Sequence, residues 1–371
     1  MLDFPAMELA DLERQARAGD ARAQLALARL LEDRGQIATA RGWYANAAKS
    51  GSAEALQALA ASLLTHQPLE IEGGLRFMRA AAEQGDADAL RICAVLAAQD
   101  ETLANNWNVA LDYLAAAAER GSPLARGQLL LLAGRPFDDT AGGESWAALR
   151  GRIDIARWLR FTPRKTISQS PGIFALEDFA APEICDWLIK RAWGRVTRAN
   201  VYDPNTGGAT VAEHRTNSSA NFELVQWDLP LVILRTRIAH EAGLPPHCLE
   251  HPLVLHYAPG ETFEPHYDFL DPEMPGTRRE IMAKGQRAAT FLVYLNDDYE
   301  GAETEFLELG IHHRGKKGDA LLFFNLDDEG NPDKRTRHAG RPPASGEKWV
   351  LSQWIREAKR SAHSPLAVHR G

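Results

Sequence analysis

The 371-residue sequence has only three cysteines, Cys93, Cys185 and Cys248, and none forms a CxxC pair. An odd number without paired spacing argues against a disulfide framework and against a thiolate zinc site. Basic residues are outnumbered by acidic ones, 42 against 50, for a net charge of −8. That balance argues against a broad electrostatic grip on nucleic acid or on an anionic membrane. No apolar run reaches the roughly 18 residues that a membrane span needs. The first residues, Met1-Leu2-Asp3-Phe4-Pro5, contain no basic segment followed by an apolar stretch. No secretory signal is therefore expected, and the cytoplasm is the expected compartment. The length exceeds the size at which a single core usually stops growing, which predicts two domains.

The first 134 residues are nearly free of strand signals and rich in Ala and Leu, and they repeat. Gly19, Gly51, Gly85 and Gly121 are 32, 34 and 36 residues apart. Eight residues before each of the last three stands an aromatic: Trp43, Phe77 and Tyr113. Alanine pairs lie between aromatic and glycine, at Ala47-Ala48, Ala81-Ala82 and Ala117-Ala118. A glycine in a left-handed cap ends one helix, and Ser52, Asp86 or Ser122 can cap the next. The alanines let helices approach closely while the aromatic fills the space between layers. A period in this range indicates stacked helical hairpins. The pattern over residues 8–134 resembles tetratricopeptide-like repeats of the short Sel type. The first unit is degenerate, with Asp11 at the aromatic position.

Residues 135–170 read as a connector. Asp138-Asp139-Thr140-Ala141-Gly142-Gly143 is loop-like, Ser145 to Leu159 is expected to form one helix, and Thr162-Pro163-Arg164-Lys165 breaks it. From about residue 171 strand-like runs appear: Leu253–Tyr257, Ala289–Leu295, Ala320–Phe324 and Trp349–Ile355. Turn signals such as Ala258-Pro259-Gly260 separate them, and two helices, Pro182–Trp193 and Leu229–Ala242, are expected to precede them. The expected architecture is an all-α repeat solenoid followed by an α+β domain over 171–360.

The segment His266-Tyr267-Asp268 carries the chemistry. On an extended strand two residues separated by one point to the same side, so one metal can be held by both. His338, 70 residues past Asp268, supplies a third ligand. Two histidines and a carboxylate form the facial triad of non-heme Fe(II) oxygenases, which leaves three positions for a bidentate co-substrate and O2. 2-Oxoglutarate chelates such an iron and needs a fixed cation for its far carboxylate. Lys348, ten residues past His338 at the start of a strand, can be that point charge. Tyr257 and Thr304 can add hydroxyl hydrogen bonds. A lone HxD arises often by chance; the ordered spacing of HxD, His and Lys is far more restrictive.

Long stretches around these residues resemble the catalytic domain of prolyl 4-hydroxylases, within the 2-oxoglutarate/Fe(II) dioxygenases. They include Leu255 through Asp268, Gln286 through Asn296, Gly301-Ala302-Glu303-Thr304-Glu305-Phe306, Lys317 through Asn325, Pro332 through Gly340, and Gly346-Glu347-Lys348-Trp349 with Trp354. The resemblance implies a double-stranded β-helix (jelly roll) with His266, Asp268 and His338 on iron and Lys348, Tyr257 and Thr304 at the co-substrate. It implies conversion of 2-oxoglutarate and O2 to succinate and CO2, coupled to hydroxylation of an unactivated C–H bond, with ascorbate as reductant. Arg215, in His214-Arg215-Thr216-Asn217, and Trp354 fall on family positions near a peptide groove. Phe263 where many relatives have Tyr, Ala302 for Gly, Asn217 for Ser, and Pro343 depart from the pattern, several near the expected substrate channel.

Other groups read as structural. His256 should face away from His266, His312-His313 reads as a polar turn, Arg314-Gly315-Lys316-Lys317 as a solvated hairpin, and Trp146, Trp158 and Trp187 as core. The sequence thus predicts a peptidyl, most plausibly prolyl, hydroxylase whose repeats dock a protein. A small-molecule oxygenase, indifferent to loss of the repeats, and a repeat-based binding or oxygen-sensing module with secondary catalysis are the rival readings.

Overall fold

The computed structural model describes residues 9–358 apart from 101, 103–105, 140–142, 200, 203–208 and 211–214. Residue 8 of the expected repeat region, Thr140 to Gly142 of the expected loop, His214, and residues 359–360 of the expected second domain lie outside these. Among the described residues no helix is long and apolar enough to cross a membrane. The chain divides into two compact units, one of residues 1–155 with 223–232, the other of 156–222 with 233–371.

The first unit is built from helices α1 (Leu9–Arg17), α2 (Ala21–Asp33), α3 (Ile37–Lys49), α4 (Ala53–Thr65), α5 (Ile71–Glu83), α6 (Ala87–Gln99), α7 (Asn106–Glu119) and α8 (Pro123–Leu132). The predicted glycines do end helices in the left-handed region, with φ of +95° at Gly19, +84° at Gly51, +82° at Gly85 and +96° at Gly121. One residue later comes a side-chain cap. Ser52, Asp86 and Ser122 accept from the backbone N–H of Ala55, Ala89 and Ala125. Asp20 does the same for Ala23, so the degenerate first unit keeps its cap.

Trp43 and Phe77 pack against the core of the array from its edge. Both are only half-buried, and Tyr113 is exposed. The next side chains, Tyr44, Met78 and Leu114, are at most 1% exposed. Their position lies on the stripe spaced i, i+4, i+7 with small residues: Ala40/Tyr44/Ala47, Gly74/Met78/Ala81 and Ala110/Leu114/Ala117, all buried. At Gly74 the approach is closest, since an added Cβ would meet Leu64 at 2.6 Å.

The expected connector helix is instead two short ones, α9 (Trp146–Gly151), capped by Ser145, and α10 (Ile155–Trp158). Gly151, poor in helix propensity, sits where the first one stops. Trp158 and Trp187 are buried as expected, whereas Trp146 is half-buried under Arg126. Residues 223–232 belong to the first unit through specific backbone recognition. Arg91 of α6, 6% exposed, donates to the carbonyls of Val225 and Trp227, both at 2.9 Å. Gln128 of α8 accepts from the Leu229 N–H at 2.9 Å.

The second unit holds an eight-stranded and a four-stranded antiparallel sheet, with two further two-stranded pairings. Its strands are β1 (Lys165–Gln169), β2 (Gly172–Leu176), β3 (Thr197–Arg198), β4 (Val201–Tyr202), β5 (Ala209–Thr210), β6 (Ser218–Asn221), β7 (Leu253–Tyr257) and β8 (Phe263–His266). They continue as β9 (Arg287–Tyr294), β10 (Glu300–Gly301), β11 (Thr304–Phe306), β12 (Ile311–His313), β13 (Ala320–Phe324), β14 (His338–Gly340), β15 (Pro343–Ser345) and β16 (Lys348–Arg356). The larger sheet runs β1-β2-β13-β9-β16-β7-β6-β3 and the smaller β12-β11-β14-β8. A core of Ile173, Tyr294, Leu321, Phe323 and Val350 from the larger sheet and Phe306 from the smaller lies between them, the layering of a jelly roll.

Helix α11 (Pro182–Ala192) matches expectation. So does α12 (Leu229–Ala242), whose first residues belong to the first unit. Helix α13 (Pro275–Lys284) was not foreseen. The expected boundary at 171 falls inside the β1–β2 hairpin. Lys165–Gln169 pairs with Gly172–Leu176, so the earlier strand belongs to the sheet unit.

Candidate iron and co-substrate site

Strands β8 and β14 pair so that His266 and His338 are cross-strand partners. Strand β8 ends at His266, and Asp268 lies beyond it in a bend. The two-residue periodicity of a strand is therefore not what brings His266 and Asp268 together. The bend turns the carboxylate back instead, and Thr290 of β9 holds Asp268 Oδ2 through a 2.7 Å hydrogen bond. The buried Asn325 in turn donates to Thr290.

His266 Nε2 lies 3.6 Å from Asp268 Oδ1, and His338 Nε2 3.5 Å from Asp268 Oδ2. One ligand atom from each of the three falls within 4.8 Å of the others. On one face of an octahedron, ligands about 2.1 Å from a metal are about 3 Å apart, so a small inward movement completes the set. The two Nδ1 atoms face the carbonyls of Glu264 and Thr336 at 2.8 and 3.0 Å. Donation there leaves each Nε2 lone pair aimed inward, the arrangement by which main-chain acceptors orient metal-ligating histidines.

Burial, reinforced by His338, pulls the pKa of His266 down to about 3, so this imidazole is neutral. Burial opposes ionisation of Asp268, but His338, His266 and Thr290 outweigh it and hold its pKa below the usual range. A buried carboxylate facing two inward lone pairs is costly unless a cation neutralises it. These donors fit Fe(II).

Lys348 is 2% exposed and donates to the Ala302 carbonyl at 2.6 Å. Burial pushes its pKa down to about 7, with Glu303 opposing. Ala302 takes φ +58°, the left-handed region that glycine favours, and its carbonyl accepts from Lys348. Lys348 is the cross-strand partner of Tyr257, and its ammonium lies 5.5 and 5.4 Å from the Tyr257 and Tyr294 rings. Tyr294 and Thr304 share a 3.0 Å hydrogen bond. Burial raises Tyr257 to about 12, so its hydroxyl remains a donor. A cavity of about 40 Å3 is bordered by Tyr257, Thr304, Lys348 and the three candidate ligands. Every co-substrate residue named from the sequence meets there.

Arg215 and Trp354 border both this cavity and an adjoining groove of about 970 Å3. The Arg215 guanidinium lies 4.4 Å from the Phe263 ring, which stacks on His266 at 3.4 Å. Arg287 lies 3.7 Å from the Trp354 ring and is held by Glu250 at 2.7 and 3.0 Å. His256 faces away, bonded to Glu347 at 3.0 Å. His312 and His313, expected in a turn, lie on strand β12 because Glu305 and Thr304 of β11 pair with them. Sequence reading missed Thr290, Asn325 and Tyr294. The one available signal was Thr290, a polar residue inside the apolar run Ala289–Leu295.

Residues 252–356 match the model of the 2OG-Fe(II) oxygenase superfamily. The chain is 32% identical over 249 residues to prolyl 4-hydroxylase 1 of Arabidopsis thaliana, covering 59% of this chain and 86% of that protein. It therefore belongs to the prolyl 4-hydroxylase family of 2-oxoglutarate- and Fe(II)-dependent dioxygenases. The vertebrate prolyl 4-hydroxylase α subunits it matches at 32–35% identity are spanned over only 34–38% of their length. Among solved structures it is similar to the viral collagen prolyl hydroxylase of Paramecium bursaria Chlorella virus-1 in complex with 2OG. That likeness has 28% identity and a TM-score of 0.39, covering 50% of this chain and 96% of that one. A Sel1 repeat protein from Oxalobacter formigenes is similar at 19% identity and TM-score 0.31, over 39% of this chain and 62% of that one.

Proposed function

We propose that this enzyme hydroxylates a prolyl residue within a protein or peptide, in the cytoplasm, with ascorbate keeping the iron reduced. The observation that carries the reading is the open groove of about 970 Å3 bordered by His266, Asp268, Arg215 and Trp354. An extended chain can lie in such a groove and present one side chain to the metal, whereas a free amino acid needs no groove of that extent.

His266, Asp268 and His338 would hold Fe(II), which supplies O2 activation coupled to oxidative decarboxylation of 2-oxoglutarate. The protein's own contribution is placement. The carbonyls of Glu264 and Thr336 fix the imidazole tautomers, and Thr290 fixes the carboxylate. Lys348 would neutralise the far carboxylate of 2-oxoglutarate, with the Tyr257 and Thr304 hydroxyls as further donors. Leu255, Leu292 and Val350 supply apolar walls to the cavity beside these groups.

In this reading the repeat array docks the protein that carries the target residue. Because Arg91 and Gln128 already hold residues 223–232, the earlier repeats are the surface left for that partner.

The test is succinate formation from 2-oxoglutarate with Fe(II), ascorbate and proline-containing peptides, followed by mass spectrometry. Peptide-dependent succinate and a gain of one oxygen atom on proline are expected. Turnover only with free amino acids would support the small-molecule reading, and no 2-oxoglutarate turnover with any acceptor would sink the enzymatic one.

A further inference from the structure

The segment that carries the second candidate iron ligand, Tyr267 to Phe269, forms an aromatic ledge on the groove. Tyr267, between His266 and Asp268, is 38% exposed, and its ring stacks on Phe269 with centroids 4.6 Å apart. The ledge is built rather than loose. Gln286, 6% exposed, accepts from the Leu270 N–H and donates to the Leu270 carbonyl, both at 2.7 Å. Arg278 donates to the carbonyls of Pro272 and Glu273 at 2.9 and 3.3 Å, pinning the far end of the loop.

Four aromatics line the groove: Phe263, Tyr267, Phe269 and Trp354. Two already carry a cation from the chain itself, Phe263 from Arg215 and Trp354 from Arg287. Among the described residues no cation lies over Tyr267 or Phe269. Two carboxylates, Asp271 and Glu273, line the groove on the same loop. Asp271 Oδ1 accepts only the Glu273 N–H, at 2.9 Å, and has no cationic partner among the described residues. An aromatic face open to a groove with carboxylates beside it suits an ammonium or guanidinium group. Tyr267 stands between two candidate iron ligands and Phe269 just past the second, so the ledge shares the groove with the candidate metal site.

We propose that the Tyr267–Phe269 ledge, with Asp271, selects a lysine or arginine side chain of the substrate near the residue to be hydroxylated. This rests on the reading of the groove as a peptide site. Tyr267 supplies the ring face and Asp271 the counter-charge, so the ledge determines specificity and takes no part in the reaction itself.

The test is direct binding to the full chain, by fluorescence polarisation, of labelled extended peptides that carry arginine, lysine or norleucine at each position around a central proline. In at least one register the arginine peptide is expected to bind about tenfold tighter than its norleucine counterpart, the size of one cation–π contact with a charge pair. Added salt should shrink the difference. Tyr267→Leu and Asp271→Asn should each reduce the arginine preference, whereas Tyr267→Phe should keep it; iron content measured alongside excludes damage to the neighbouring ligands. Equal affinity for arginine and norleucine in every register, or a preference that survives Tyr267→Leu, would overturn the proposal. Arginine-selective binding without hydroxylation of any prolyl peptide would refute the prolyl reading and leave the ledge standing. Hydroxylation of prolyl peptides without an arginine preference would do the reverse.

Discussion

The two units of this chain encode their structures in opposite ways. In the repeat unit the residues that end and start helices are explained by their neighbours in sequence, and only Arg91 and Gln128, among the residues described above, reach a distant segment. Gly51 ends α3, Ser52 caps α4, and the same pair recurs at 85/86 and 121/122. In the sheet unit the important residues are explained by residues far away. His266 pairs with His338, Asp268 is held by Thr290, and Lys348 is held by Ala302. Local encoding is redundant, because losing one cap leaves the others intact. Long-range encoding is not, because each ligand has a single partner set.

That contrast predicts how each unit breaks. The largest effect should come from His338→Ala, which removes one of three candidate metal donors. Iron stoichiometry should fall close to zero and 2-oxoglutarate turnover with it, as read by metal analysis and succinate release, while the helical circular dichroism persists. Next is Leu114→Ala in the buried stripe of α7. It should cost about 3 kcal/mol of stability in denaturant unfolding and leave iron content unchanged. Retention of full stability would mean that the stripe is not the core of the array.

Lys348→Met comes third and should weaken 2-oxoglutarate binding on the order of 100-fold by calorimetry with Mn(II) in place of iron, the scale of a lost buried charge pair. It should also change the pH dependence of stability. The folded pKa of Lys348, near 7, lies below its ordinary value of 10.5. Between those values the unfolded chain binds the extra proton, so this group makes stability rise with pH across that window. The penalty of burying the charge is fully present below pH 7. The Met variant should therefore be more stable than the parent below pH 7 and lose that advantage toward pH 10.5. An unchanged difference across that range would show that Lys348 is not the titrating group. The smallest effect is Thr290→Val, which should lower metal affinity about tenfold by releasing the Asp268 carboxylate. An unaltered affinity would make the hydrogen bond incidental.

The same contrast governs what could be read from the sequence. Caps, helix-ending glycines and the strands β7, β9, β13 and β16 were legible because propensity and turn chemistry act over a few residues. The candidate ligands were legible because their spacing and the surrounding stretches resemble a known family. The fully buried stripe was less legible, because Trp43 and Tyr44 are both aromatic and both pack on the core, and only packing beside Ala40 and Ala47 decides which is enclosed. The position of Asp268 beyond the end of β8, and its support by Thr290 22 residues away, follow from tertiary pairing that no local pattern carries. Helix α13 was missed because Gly276 and the polar run Thr277-Arg278-Arg279 give little helical periodicity.

The docking of residues 223–232 on Arg91 and Gln128 also sets an order of events during synthesis. The last helix of the array, α8, ends at Leu132. The segment that satisfies these two buried polar side chains is translated about ninety residues later. Until it emerges from the ribosome, the Arg91 guanidinium and the Gln128 side-chain carbonyl lack these backbone partners. The nascent N-terminal half therefore exposes a sticky, half-finished surface for seconds, an interval in which a chaperone would find its client.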